Sequence, residues 1–219
     1  MGGEITYNVR RAPRARRVRV RVDPERGVEV VLPPRAPERA AAAAVAQLAP
    51  WIEKRLAELQ RARDRLARED GVLPYLDDYL TLVVEPGRTR AHRAGATLLV
   101  PPGAAASAAI ERWYRRAARG EIGSRLDAAA AAAGLRYTRL TIRNQRTRWA
   151  SCAAGGAMSF NWRLLLAPER VLDYVVWHEI CHLKFADHSE RFWALLEQRC
   201  PGWREPAAWL RENGSALVL

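Results

Sequence analysis

The sequence predicts an α+β fold in two lobes. Three observations carry that expectation: a strand-strand-helix pattern in the first third, a Pro101-Pro102-Gly103 linker, and a second half of helices interrupted by two short strands. Apolar residues make up 49% of the 219-residue chain and charged residues 27%, a globular balance with length enough for a sizeable core.

In chain order, Val18, Val20 and Val22 alternate with Arg17, Arg19 and Arg21, the period of a half-buried strand. The run from Asp23 to Gly27 supplies turn residues, and Val28 to Leu32 continues as a second strand, so a β-hairpin is expected. Pro37 suits the first turn of a helix reaching Ala49. Pro50 is expected to break or kink it, with helical spacing resuming from Trp51 to Arg68. Gly71 to Pro74 reads as punctuation. Tyr79 to Val84 and Thr97 to Val100 read as two strands around a turn at Pro86-Gly87. The linker then places a boundary between an N-terminal lobe, residues 1–102, and a second lobe, residues 103–219.

Ala104 to Ala133 is helical in pattern, with a break expected near Gly120 to Gly123 and Gly134 placed as a C-cap. Arg139 to Arg143 and Met158 to Asn161 are strand candidates. From Pro168 to Leu183 an apolar stripe of Val171, Leu172, Val175, Val176, Ile180 and Leu183 predicts a buried helix. Ser189 to Arg199, capped by Asp187 or His188, and Glu205 to Arg211 complete the helices.

The formal charge of +12 favours an anionic partner such as a nucleotide or nucleic acid. Only Lys54 and Lys184 among the 36 basic residues are lysines, however, which points more strongly to arginine-biased composition on solvated faces. Cys152, Cys181 and Cys200 form no CxxC pair, which argues against a disulfide framework or a zinc ribbon. No apolar run reaches the roughly 20 residues of a membrane span, and no secretory h-region stands at the start, so a cytoplasmic location is expected.

The chemistry concentrates in HEICHLKFADH, from His178 to His188. Residues four apart share a helix face, so His178 and His182 can present imidazoles to one ion. Glu179 lies about 100° further round the helix, beside the ion rather than on it. His188 falls past the helix end, where the chain can deliver a third nitrogen. Three protein ligands leave an open position for water, the pattern of a catalytic zinc site, with Glu179 as the base. Cys181 lies at a different helical angle and is assigned to packing. His92 reads as a surface histidine.

Several further stretches accompany this motif in a familiar order. They are Arg148-Trp-Ala-Ser-Cys152, Met158-Ser-Phe-Asn161-Trp-Arg-Leu164, Pro168, Asp173-Tyr-Val175, and His188-Ser-x-Arg-Phe-Trp193. Together they resemble the YgjP-like metallopeptidase family, zincins related to the SprT and WLM proteases. The resemblance implies a zincin-like domain with the HExxH helix on a small mixed sheet, a Zn2+ cofactor, and a peptide or protein substrate. It also implies that His178, His182 and His188 are the metal ligands. The chain departs from the family at Ala150, where glycine is usual. The spacing from His182 to His188 also equals that of metzincins, but Phe185 stands where they carry glycine and no methionine lies downstream.

Peptide hydrolysis is therefore the leading expectation, with substrate held by β-addition to an edge strand near Met158 to Asn161. Arg148, Asn161 and Tyr174 are the substrate-binding candidates. The cluster Arg139, Arg143, Arg146 and Arg148 keeps open a phosphate-bearing substrate at the same metal site, and a nucleic-acid-associated protein with a metal site is the third reading.

Overall fold

The computed structural model describes residues 5–24, 26–66, 70–145 and 148–219. The chain forms two compact units. One takes residues 5–66 and the returning segment Glu212–Val218, and the other the chain from 70 to Arg211.

In the first unit, β1 (Tyr7–Arg11), β2 (Arg19–Asp23) and β3 (Gly27–Leu32) form a sheet in the order β1-β3-β2. The expected hairpin is present as β2 and β3, paired antiparallel from Arg19↔Val31 to Asp23↔Gly27. The parallel strand β1 was not legible locally. Alternation turns Val28, Val30 and Leu32 onto Ala41, Val45 and Ile52 of α1 (Arg39–Arg65). Pro50 does not break α1. Val45, Ile52 and Leu59, seven residues apart, hold one buried stripe across the proline, and packing of that stripe outweighs a lost backbone hydrogen bond. The returning segment closes the unit: Asn213 Oδ1 accepts a 2.9 Å hydrogen bond from Arg65 Nε, and Ala216 packs on Leu59 and Ala62.

The second unit begins with β4 (Val72–Tyr75), β5 (Asp78–Val84), β6 (His92–Ala94) and β7 (Thr97–Val100), in the order β4-β5-β7-β6. Strands β5 and β7 pair parallel rather than as a hairpin, and His92 lies on the short exposed strand β6, which follows β5 in sequence and pairs at the sheet edge with β7. This sheet belongs with the second half of the chain, so the division falls near residue 67 and not at Pro101-Pro102-Gly103. The ties are specific. Leu76 N–H donates to Leu165 O at 2.8 Å, Tyr75 Oη to Glu121 at 2.9 Å, and Tyr114 Oη to Pro74 O.

Helix α2 (Ala105–Ala133) runs unbroken through Gly120 and Gly123, burying Trp113, Tyr114, Ile122 and Leu126, and ends as expected at Gly134 with φ +66°. Strands β8 (Arg139–Arg143), β9 (Ala150–Cys152) and β10 (Ala157–Asn161) form a small mixed sheet in the order β8-β10-β9. Strand β10 is parallel to β8 and antiparallel to β9. A buried 3-10 turn, Trp162–Leu166, leads into α3 (Glu169–His182), then α4 (Glu190–Arg199) and α5 (Arg204–Asn213). The result is the expected zincin-like arrangement, the HExxH helix α3 set against a small mixed sheet.

Two long-range contacts fix α3. Pro168 at its N-cap has no side chain to cap with. Asp77, in the β4–β5 turn, supplies the missing acceptor: its Oδ1 takes the Glu169 N–H at 3.1 Å. Leu76 beside it has φ +57°. From α2, the Arg125 guanidinium reaches Asp173 at 3.0 Å and Glu121 at 2.6 Å, and it also binds Glu169.

Candidate metal centre

Helix α3 buries Val171, Leu172, Val175, Val176, Ile180 and Cys181, and this fixes its rotation. The histidines then fall on its other side, half-buried, with ring centroids 4.9 Å apart. The chain leaves α3 at Leu183, turns, and returns with His188, which is exposed. Its ring centroid lies 5.0 Å from that of His178 and 4.7 Å from that of His182. One ligand nitrogen from each of the three lies within 4.8 Å of the others.

The donor atoms suit a metal. The Nε2 atoms of His188 and His178 face each other at 3.0 Å. Nitrogens about 2.0–2.1 Å from a shared tetrahedral ion are separated by about 3.3 Å. The Nδ1 of His182 lies 3.0 Å from Phe185 O, so that nitrogen carries the proton and Nε2 keeps its lone pair. Burial, then the neighbouring His182 and His188, push His178 down to about 4, so its imidazole is neutral at ordinary pH as a ligand must be. The same two causes, burial first and then His182, lower His188.

Glu179 is 5% exposed, and its Oε2 is buried without a hydrogen-bond partner among the described residues. Burial pushes this carboxyl up to about 7, against the backbone N–H of Cys152, which pulls it down. The pairing Cys152↔Met158 puts the Cys152 side chain on the same sheet face as buried Met158. Ala150 lies in extended β9, and Leu76 is the non-glycine residue with positive φ among those described, so a methyl in place of the family's glycine is accommodated.

Beneath the three imidazoles sits Phe192 of α4, fully buried, its ring centroid 5.0, 4.6 and 4.8 Å from those of His178, His182 and His188. Beside it Trp193 stacks on His188 at 5.3 Å. Sequence reasoning missed both contacts. The available signal was the Arg-Phe-Trp run shortly after His188. Ser189, rather than Asp187 or His188, occupies the N-cap of α4.

The other candidates separate. Tyr174 lies one turn before His178, ring centroids 5.8 Å apart, and burial raises its phenol, with Glu179 and Cys200 adding to the effect. Arg148 is exposed just before β9. Asn161 is 2% exposed; its Nδ2 donates to Gln145 O at 2.7 Å and its Oδ1 accepts Arg163 N–H at 3.1 Å, so its amide serves the fold. Strand β10 is central, paired on both sides, so the expected β-addition along Met158 to Asn161 is ruled out; the free edge next to α3 is β9.

Two members of the arginine cluster, Arg139 and Arg143, do not face the metal helix. Leu140 packs towards Gly123 of α2, so Arg139 and Arg143 project from the opposite face of the sheet. Arg146 lies outside the described residues.

The family model of the YgjP-like metallopeptidase domain matches residues 16–213. Among solved structures, the metallopeptidase zymogen of Pyrococcus abyssi abylysin is similar at 23% identity, covering 44% of this chain and 99% of that chain with a TM-score of 0.39. No curated protein matches the chain.

Proposed function

Because the chain belongs to the YgjP-like metallopeptidase family, we propose that it is a zinc peptidase in which His178, His182 and His188 hold the ion and Glu179 handles the proton of the attacking water. The observation that carries this reading is the convergence of three imidazoles beside a buried carboxylate oxygen with no partner among the described residues. An unpaired polar atom in such a site is costly unless a ligand engages it. Zinc, when bound, would act as a Lewis acid towards a scissile carbonyl and acidify a water at its open position.

The remaining work falls to the chain's own groups. Glu179 accepts the proton of the attacking water and passes it to the leaving amine, the two-way transfer asked of a general base that then acts as an acid. The Cys152 N–H steadies the carboxylate from the side of the sheet. Pairing of β9 with β10 directs the backbone groups of Ser151 inwards, and those of Ala150 and Cys152 to the free edge. An extended peptide lying along that edge finds Ala150 as its pairing position, with the metal side beside it. Tyr174, half-buried next to His178, is the candidate donor to the developing oxyanion, and Arg148 the candidate contact further along the edge.

The test is cleavage of an unfolded protein such as casein by the zinc-loaded chain. Glu179→Gln is expected to lower the rate about 100- to 10,000-fold while zinc binding persists. Equal cleavage by Glu179→Gln, or no cleavage by the zinc-loaded wild type, overturns the reading. A nucleoside triphosphate run in parallel is expected to stay intact.

A further inference from the structure

The three histidines are held in place unequally. His178 and His182 ride on α3, and the Nδ1 of His182 is fixed by Phe185 O at 3.0 Å. His188 is exposed, lies between α3 and α4, and its Nδ1 makes no hydrogen bond among the described residues. Metal-binding histidines ordinarily give that second nitrogen to a carboxylate or carbonyl, which sets the ring's orientation. Here something else must set it.

A column of aromatic faces meets the ring of His188. Trp193 stacks on it at 5.3 Å with 27° between planes, Trp203 stacks on Trp193 at 4.6 Å and 14°, and Tyr174 stacks on Trp203 at 6.2 Å and 12°. The Arg204 guanidinium also lies over the Trp203 ring, 4.8 Å from its centroid. Tyr174 belongs to α3, and its ring lies 5.8 Å from His178. The column therefore closes a circuit, running from the metal helix out through two tryptophans and back to the third histidine. His188 thus meets Trp193 through its ring face and the Nε2 of His178 through its own Nε2. A flat ring against a flat ring limits tilt, as a hydrogen bond at Nδ1 would otherwise do.

We infer that Trp193 is a positioning residue for His188: its stacked indole, backed by Trp203, presets the third imidazole for the metal in place of a hydrogen-bonding partner. The inference rests on the reading of the three histidines as ligands. An alternative is that Trp193 only fills space in the cluster of Cys181, Phe192 and Leu196, against which it packs. Shape separates the two, because a filler needs volume and a positioning residue needs a flat face.

The test uses the full chain stripped of metal, titrated with Zn2+ against a chromophoric chelator, and with Co2+ to read coordination number from its visible absorption. Trp193→Leu and Trp193→Phe both give apolar side chains smaller than Trp and of similar volume to each other, and only the second keeps a flat ring. Trp193→Leu is expected to bind Zn2+ about 10- to 100-fold more weakly and to weaken the tetrahedral Co2+ absorption, the loss usual when an outer partner of a ligand is removed. Trp193→Phe is expected to stay within about threefold of wild type, and far-ultraviolet circular dichroism to be unchanged in both. Wild-type affinity in Trp193→Leu while His188→Ala binds at least 100-fold more weakly overturns the inference and leaves the ligand set standing. Equal losses in the Phe and Leu variants overturn it too. Unchanged affinity in His188→Ala overturns the ligand set itself, and this inference with it.

Discussion

Asp77 caps the helix that carries the candidate ligands from 92 residues away, its Oδ1 accepting the Glu169 N–H at 3.1 Å. The helix cannot cap itself, since Pro168 precedes it, and its first-turn N–H groups need an acceptor. Replacing a capping carboxylate by alanine costs roughly 0.5–2 kcal/mol. Asp77→Ala is therefore expected to lower stability by about 1 kcal/mol in urea unfolding, with Asp77→Asn close to wild type. An Asp77→Ala midpoint equal to wild type would mean water replaces the cap.

Pro50 gives a prediction of opposite sign. It stands exposed inside α1, so its ring contributes no packing, and it leaves the Ala46 carbonyl without its usual donor four residues on. Proline in a helix interior costs about 3 kcal/mol relative to alanine, offset by about 1 kcal/mol from its stiffening of the unfolded chain. Pro50→Ala is expected to stabilise the protein by about 2 kcal/mol, read as a higher urea midpoint of the helical signal. A lower midpoint would show that α1 depends on a bend at this position.

These two residues also mark what a sequence can carry. Local pattern was enough for β7, β8, the ends of α2 with its Gly134 cap (though not its continuity through Gly120 and Gly123), and the spacing of His178, Glu179, His182 and His188, because each depends on neighbours a few residues apart. Strand β1 was not legible, since it exists only by parallel pairing with β3, and β9 is a three-residue Ala-Ser-Cys segment made a strand by β10. Pro50 misled because a local breaking preference lost to a buried stripe spanning it. The Asp77 cap and the Trp193 stack are side-chain contacts set by tertiary geometry, to which no periodicity points.

Tyr75 yields a prediction about alkaline pH. Burial first, and then its hydrogen bond to Glu121, push its phenol up to about 12 from an ordinary value near 10. The folded state thus favours the neutral phenol. Its contribution to stability is intact below pH 10 and is lost as pH rises from 10 to 12, where the unfolded chain ionises first. Tyrosinate absorbance of the native protein should therefore lag for this residue. Tyr75→Phe should remove part of the lag and flatten the fall in stability over the same window. Tyr137, also pushed up to about 12, by its hydrogen bond to Asp127 and then by burial, and Tyr174, raised by burial, should contribute to the lag that remains. A native titration with every tyrosine ionising near 10 would sink this account.

Metal removal tests the three-histidine arrangement by a route separate from catalysis. The imidazoles converge only when the turn from Leu183 to Ser189 brings His188 back over α3, a geometry the unfolded chain does not hold. An ion bound by the folded state alone stabilises it by mass action, by about 2.7 kcal/mol at one hundred times its dissociation constant. The melting temperature should accordingly rise with zinc concentration and fall on adding a chelator. Amides from 183 to 189 should show the largest loss of protection from hydrogen exchange, because His188 and the turn carrying it gain most from the ion. His188→Ala should remove most of the zinc dependence while leaving the metal-free melting temperature near that of the wild type, its side chain being exposed. A melting temperature indifferent to both zinc and chelator would mean that the three nitrogens, close as they are, bind no ion tightly enough to matter.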